Sequence, residues 1–215
     1  TLNQMLRNMI ENNDREEAMA KGRKFAEQAD IYSLPQIAID HVEHYVEQNL
    51  EPTKIPATAA IIAQDEAVNI EACIKSLDFF DEVLVVDSGS SDNTVKLAEA
   101  AGARVVYNPW GGYSSQRKFA LDCAHYDWIF SVDADERVSR QLRTSILELF
   151  KSENLGSGCA VNRRNHFMGK PLSHGEGYPD WIVRLFNRQQ ASWSEDVVHE
   201  KVTLSRLGDA NRLKG

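Results

Sequence analysis

At 215 residues, with 42% hydrophobic and 26% charged side chains, the chain has the size and composition of one sizeable globular domain with a small appendage. A net charge of −8 excludes broad, sequence-independent nucleic-acid binding, which needs a basic footprint. No apolar run reaches the ~18 residues of a membrane span and no signal-peptide pattern is present. A cytoplasmic setting is therefore expected, with peripheral contact at the inner membrane face left open.

Cys73, Cys123 and Cys159 lie far apart, forming neither a disulfide framework nor a zinc knuckle, and are expected to be inert thiols of a reducing compartment. The chain begins with Thr rather than Met, so a fragment or a processed form is expected.

Residues 1–50 carry a helical pattern. Leu2, Met5, Leu6, Met9 and Ile10 recur at helical spacing, and Ile39, Val42, Tyr45, Val46 and Leu50 form a later apolar stripe. Asp14 with Glu17, and Ser33 with Gln36, have the form of capping boxes. This segment is expected to be a small bundle packed on the main domain, the alternative being a docking module for an acceptor or partner. Residues 51–57, with Pro52 and Pro56, read as a linker.

From residue 58 strands and helices alternate. Strands are predicted over Thr58 to Ala63, Val83 to Val86, Arg104 to Tyr107 and Trp128 to Val132. Helices are predicted over Ile70 to Leu77, Thr94 to Ala101 and Ser115 to Ala124, with another beginning near Ser139. Short continuous apolar strands separated by helices imply an α/β fold, a mainly parallel sheet covered on both faces. Ligands of such sheets bind at the carboxyl ends of the strands, where the polar residues of this chain gather.

The fourth strand ends in Asp133-Ala134-Asp135, with Glu136 behind. Neighbouring carboxylates repel, and a cluster at an open sheet edge is stabilised by a cation. Oxygen ligands suit Mg²⁺ or Mn²⁺, which would in turn hold substrate phosphates. The plainer alternative is an acidic strand-to-helix turn. The second strand ends in Asp87-Ser88-Gly89-Ser90-Ser91-Asp92-Asn93-Thr94. There a buried Asp87 could accept a hydrogen bond from a base or ribose, while Asp92 is expected simply to cap the next helix.

Three blocks carry a resemblance: Ala60-Ile61-Ile62-Ala63-Gln64-Asp65-Glu66, Val85 to Thr94, and Ser131-Val132-Asp133-Ala134-Asp135-Glu136. Over about Thr58 to Lys214 the chain resembles the family 2 inverting glycosyltransferases of GT-A fold. Within them it is most similar to the lipopolysaccharide inner-core β-glucosyltransferase group. Further counterparts are Pro109-Trp110-Gly111-Gly112, Gln116-Arg117-Lys118-Phe119-Ala120, Tyr178-Pro179-Asp180-Trp181, Arg184-Leu185-Phe186 and Val198-His199-Glu200. The catalytic domain so implied covers residues 58–215, and relatives in that group continue beyond its end.

The resemblance implies a UDP-sugar donor, a saccharide acceptor, free or lipid-linked, and Mg²⁺ or Mn²⁺ as cofactor. Asp87 would read the uracil, and Ala63, Asp65 and Glu66 would line the nucleotide pocket together with Ser88 and Ala134. Asp135 would be the principal metal ligand, with His199 completing the metal shell and Asp133 bonding the ribose or the metal's waters. Arg117 and Arg184 would pair with diphosphate oxygens, since guanidinium suits phosphate. Asp65 stands where relatives often carry Asn, and so does Lys118.

The general base must stand across the sugar from the metal, and Asp180, ahead of Arg184-Leu185-Phe186, is its first candidate, with Glu195, Asp196 and Glu200 as rivals. Asn162 to Lys170, with His174, is expected to wall the acceptor side, a basic surface suited to a phosphorylated saccharide. The expected reaction is transfer of a hexose, glucose first, in lipopolysaccharide core or other cell-surface glycan synthesis. The alternatives are a peptide S- or O-glycosyltransferase and a non-catalytic nucleotide-sugar-binding module. A phosphatase using Asp133 as nucleophile is disfavoured by Arg137.

Overall fold

The computed structural model describes residues 54–152, 155–167, 170–171, 179–193, 202–204 and 210–213. The chain divides into two compact units, Thr1–Thr53 and Lys54–Gly215. The helices expected over residues 1–50 and the first part of the linker lie outside the described residues.

The second unit runs β1 (Ile55–Ala63), α1 (Ile70–Lys75), β2 (Phe80–Asp87), α2 (Thr94–Ala100), β3 (Arg104–Tyr107), α3 (Tyr113–Cys123), β4 (Trp128–Asp133) and α4 (Arg140–Lys151). It continues through β5 (Gly158–Arg163), β6 (His166–Phe167), β7 (Lys170–Pro171), β8 (Asp180–Asn187), β9 (Ala191–Trp193), β10 (Val202–Leu204) and β11 (Ala210–Leu213). Seven strands form one sheet in the order β11-β5-β8-β4-β1-β2-β3, with β6–β7 and β9–β10 as separate two-stranded ribbons. Within the large sheet β8 alone runs against its neighbours β4 and β5.

Central strand β1 is nearly all small or branched residues. Its side chains alternate between two apolar layers, Ala57, Ala59, Ile61 and Ala63 on one face and Ala60 on the other. The first layer is closed by Ile70, Cys73 and Ile74 of α1, Ala98 of α2, and Leu142, Ile146 and Leu147 of α4. The second is closed by Ala120 of α3 and by the β9–β10 ribbon through Ala191, Val202 and Leu204. Phe80 packs 5.4 Å from Phe130 and 4.5 Å from Phe79, centroid to centroid. Burying each such ring contributes about 1.5–3 kcal/mol.

Several boundaries differ from expectation: β2 begins three residues early, at Phe80, α1 ends two residues early, at Lys75, and the starts of β1 and α3 also move. β1 begins at Ile55, inside the expected linker, because exposed Pro56 falls in an irregularity between the pairs Ile55–Phe80 and Thr58–Glu82. A missing N–H at that point removes no ladder hydrogen bond. α3 begins at Tyr113, two residues early, because Gly112 already accepts the Gln116 N–H at 3.1 Å. Ser139 caps α4, its Oγ accepting the Leu142 N–H at 3.0 Å.

Register brings the site together. Ala63 pairs with Asp87, Asp87 with Tyr107 and Ile62 with Asp133, so the tips of β1–β4 share one edge. Because β8 is reversed, its first residue, Asp180, pairs with Arg163 at the end of β5 and reaches the same edge.

Candidate active site

The β1 and β2 tips are locked by the side chains of their own loops. Asp87 is almost fully buried and accepts hydrogen bonds from Gly89 N–H (2.9 Å), Ser90 N–H (3.0 Å) and Ser90 Oγ (2.5 Å). Asp65 adopts φ +56°, a conformation that short polar side chains tolerate best. Its carboxylate accepts the Ser91 N–H at 2.7 Å and the Ser91 hydroxyl at 3.0 Å. Asp92 caps α2 from one residue before the cap position, accepting from the Thr94 N–H at 2.8 Å and from the Ala67 N–H at 3.1 Å. These acidic and hydroxyl groups satisfy orphan backbone donors, so the two loops form one rigid wall.

The Asp-Ala-Asp turn is built differently. Asp133 accepts from Arg117 and Arg184, each at 3.0 Å, and Arg184 also donates to Glu136 at 2.7 Å. Glu136 folds back to accept the Asp133 N–H at 3.1 Å. Burial pushes the Asp133 carboxyl up, but Arg184 and Arg117 outweigh it and hold it below the usual aspartate value. Burial likewise raises Glu136, and there Arg184 offsets only part, leaving it above the usual glutamate value.

Arg184 owes its position to a bulge. Cys159 pairs with Leu185 but Ala160 pairs with Val183, so Arg184 is the extra residue on β8. A bulge re-aims a side chain, and this one turns the guanidinium onto the carboxylates.

Two cavities meet at this turn. One, of about 510 Å³, lies between the β1 tip, Ser88, the start of α3 and the Asp-Ala-Asp turn. The other, of about 700 Å³, lies between that turn, α4 and the ends of β5 and β8. Asp133 and Asp135 line both, so the turn is the ridge between them.

Of the predicted nucleotide-sugar residues, Ala63, Asp65, Glu66, Ser88, Arg117, Asp133 and Ala134 all line the smaller cavity, and Arg184 lines the larger. Asp87 lines neither; its carboxylate serves its own turn. Arg117 and Arg184, matched by the resemblance to diphosphate oxygens, bond Asp133 at this edge. Asp180 accepts from Arg163 at 2.8 Å and Asn165 at 3.1 Å, beside the larger cavity, which Arg163 and Asn165 line.

Asp135 is exposed, and no hydrogen bond or ion pair ties it to another described residue. Among the described residues no three His, Cys, Asp or Glu side chains converge as a metal set. His199, expected to complete the shell, lies outside the described residues, as do Glu195, Asp196, Glu200 and His174. A solvent-facing carboxylate with no partner among the described residues, at the junction of two cavities, is the hard oxygen donor that a divalent ion needs, so the residues present fit a divalent cation.

Sequence reasoning gave no role to Glu136, Trp110 or Tyr113. The Asp-x-x-Glu spacing after β4 was a signal for the first, and aromatic residues flanking Gly111-Gly112 were one for the others. Among the described residues no helix is long and apolar enough to cross a membrane.

Residues 58–207 match the family described as Glycosyl transferase family 2. The chain is 39% identical over 155 residues to the lipopolysaccharide core biosynthesis glycosyltransferase LpsC of Rhizobium meliloti, covering 69% of this chain and 57% of that one. It is 36% identical over 163 residues to an uncharacterized glycosyltransferase of Rickettsia bellii, covering 73% and 55%. The chain thus spans about half the length of the curated relatives it matches. Among solved structures, S. aureus TarS 1–349 in complex with UDP-GlcNAc aligns with a TM-score of 0.47 at 20% identity, over 56% of this chain and 37% of that one. The chain belongs to glycosyl transferase family 2 and has its GT-A fold, a mainly parallel sheet covered by helices.

Proposed function

We propose that the protein transfers a hexose, glucose first among the candidates, from a UDP-sugar to a saccharide acceptor with inversion at the anomeric carbon. The single observation that carries this reading is the Asp133–Asp135 ridge shared by two cavities. One side has the size and polar walls for a nucleotide, the other for the sugar and its acceptor. The similarity to LpsC supports an acceptor in lipopolysaccharide core or another cell-surface glycan, and the site of action that goes with this reading is cytoplasmic.

Asp135, together with His199, would hold Mg²⁺ or Mn²⁺, which when bound supplies positive charge to the diphosphate leaving group. Ser88 and the backbone of Ala63 to Glu66 bind the nucleoside. Arg117 and Arg184 hold Asp133 in place and stand ready to donate to phosphate oxygens. Asp180 takes the proton from the acceptor hydroxyl, whose oxygen bonds to the anomeric carbon from the face opposite the departing diphosphate. Arg163 and Asn165 fix the carboxylate for that transfer.

Release of UDP from UDP-glucose by the purified chain tests the reading, with and without Mn²⁺ and with other UDP- and GDP-sugars for comparison. Release that needs the metal and prefers a UDP-hexose is expected. Neither binding nor release with any nucleotide sugar would overturn the assignment.

A further inference from the structure

The smaller cavity has an aromatic lip that none of the assigned roles uses. Trp110 and Tyr113 are 49% and 57% exposed, two of the four most exposed large hydrophobic residues described, and both line this cavity. Their rings meet edge to face with centroids 4.9 Å apart. The Arg117 guanidinium lies 5.8 Å from the Tyr113 centroid, and the same side chain bonds Asp133. A continuous set of contacts thus joins the Asp-Ala-Asp turn to Trp110.

The backbone is shaped to present that ring. Gly112 has φ +94°, and a Cβ on Gly111 would lie 2.9 Å from Ser115 Oγ, so the chain turns abruptly between Trp110 and α3. Ser88 lines the same cavity, and its hydroxyl is nine-tenths buried with no hydrogen-bond partner among the described residues. A buried hydroxyl without a partner is costly until a ligand supplies one.

We propose that Trp110 is a donor-binding residue that stacks on the nucleobase, with Tyr113 as the positioning residue that holds it and Ser88 Oγ hydrogen-bonding the same ligand. A half-exposed indole in the same cavity as an orphan hydroxyl suits a flat ring with polar edges. A hexose belongs beyond the ridge, and the diphosphate belongs at Asp135, which leaves the base for this lip. This rests on the donor reading above.

Calorimetric titration of the full chain with UDP and with inorganic pyrophosphate, both with Mn²⁺, tests it in the wild type and in Trp110→Ala, Trp110→Phe, Tyr113→Ala and Ser88→Ala. Trp110→Ala should weaken UDP about tenfold or more, as loss of one base–aromatic stack does. It should leave pyrophosphate within twofold of wild type. Trp110→Phe should recover most of the loss, and Tyr113→Ala should follow Trp110→Ala with a smaller effect. Far-UV circular dichroism checks that each variant is folded; both rings are on the surface. Unchanged UDP affinity in Trp110→Ala, or an equal loss for pyrophosphate, would overturn the stacking role and leave the donor reading intact. A wild-type chain that takes up neither UDP nor a UDP-sugar would overturn both.

Discussion

Arg184 reaches Asp133 at 3.0 Å from an antiparallel strand, and it does so from the one position where β8 carries a residue too many against β5. The bulge therefore sets the charge balance of the Asp-Ala-Asp turn. It pairs one guanidinium with both Asp133 and Glu136 and leaves Asp135 as the turn's open carboxylate.

Arg184→Met should leave two half-buried carboxylates facing each other with one cation gone. Breaking a fully buried ion pair costs about 3–5 kcal/mol, which is the upper bound for this partly exposed one. Glu136 has a raised value in the fold, so its ionisation lowers stability as pH rises through that value. Urea unfolding should accordingly show a larger deficit at pH 8 than at pH 5, where Glu136 can take up a proton. A deficit independent of pH would mean the two carboxylates do not repel.

Asp135→Ala should do the reverse, touching function and not the fold. The side chain is exposed and unbonded among the described residues, so stability should stay within about 0.5 kcal/mol of wild type. Mn²⁺-dependent UDP binding and turnover should be lost, as they should in wild type treated with EDTA. Retained metal-dependent binding in the variant would place the ion elsewhere.

Asp180→Asn keeps the shape of the side chain, and its amide oxygen can still accept from Arg163, but it removes the proton acceptor. Transfer should fall by about 10²–10⁴-fold, the usual contribution of a general base, while UDP affinity stays near wild type. Initial-rate kinetics beside a binding titration separate the two, and full turnover in this variant would pass the role to another carboxylate.

Glu82, at the opposite end of the sheet, contributes to acid stability. It accepts from Thr58 Oγ1 at 2.5 Å, from Arg104 at 2.6 and 2.9 Å, and from the His125 N–H at 2.8 Å, binding β1, β2 and β3 to the segment after α3. Burial pushes its carboxyl up, but those hydrogen bonds outweigh burial and hold it below the ordinary glutamate value. Its contribution is therefore complete above the unfolded value of about 4.3 and disappears as pH falls through the folded one. Glu82→Gln should cost about 1–3 kcal/mol at pH 7, and the gap to wild type should narrow below about pH 4. Equal deficits at both pH values in denaturant melts would contradict this.

Sequence alone carried the four parallel strands, the helices between them and the edge where the polar residues gather. Those features follow from local hydrophobic period and from which residues end each strand, and both are written within a few positions of one another. It also singled out most of the residues that line the smaller cavity, because they lie within two or three residues of strand tips. What depended on tertiary structure was every relation across strands distant in sequence. The reversal of β8 that brings Asp180 to the same edge is one such relation, and the bulge that aims Arg184 is another. The commitment of Asp87 to its own turn, and the meeting of Trp110 with Tyr113 in the cavity that Ser88 also lines, were equally invisible. Strand direction and register are fixed by the sum of many packing contacts, and no short stretch of chain encodes that sum.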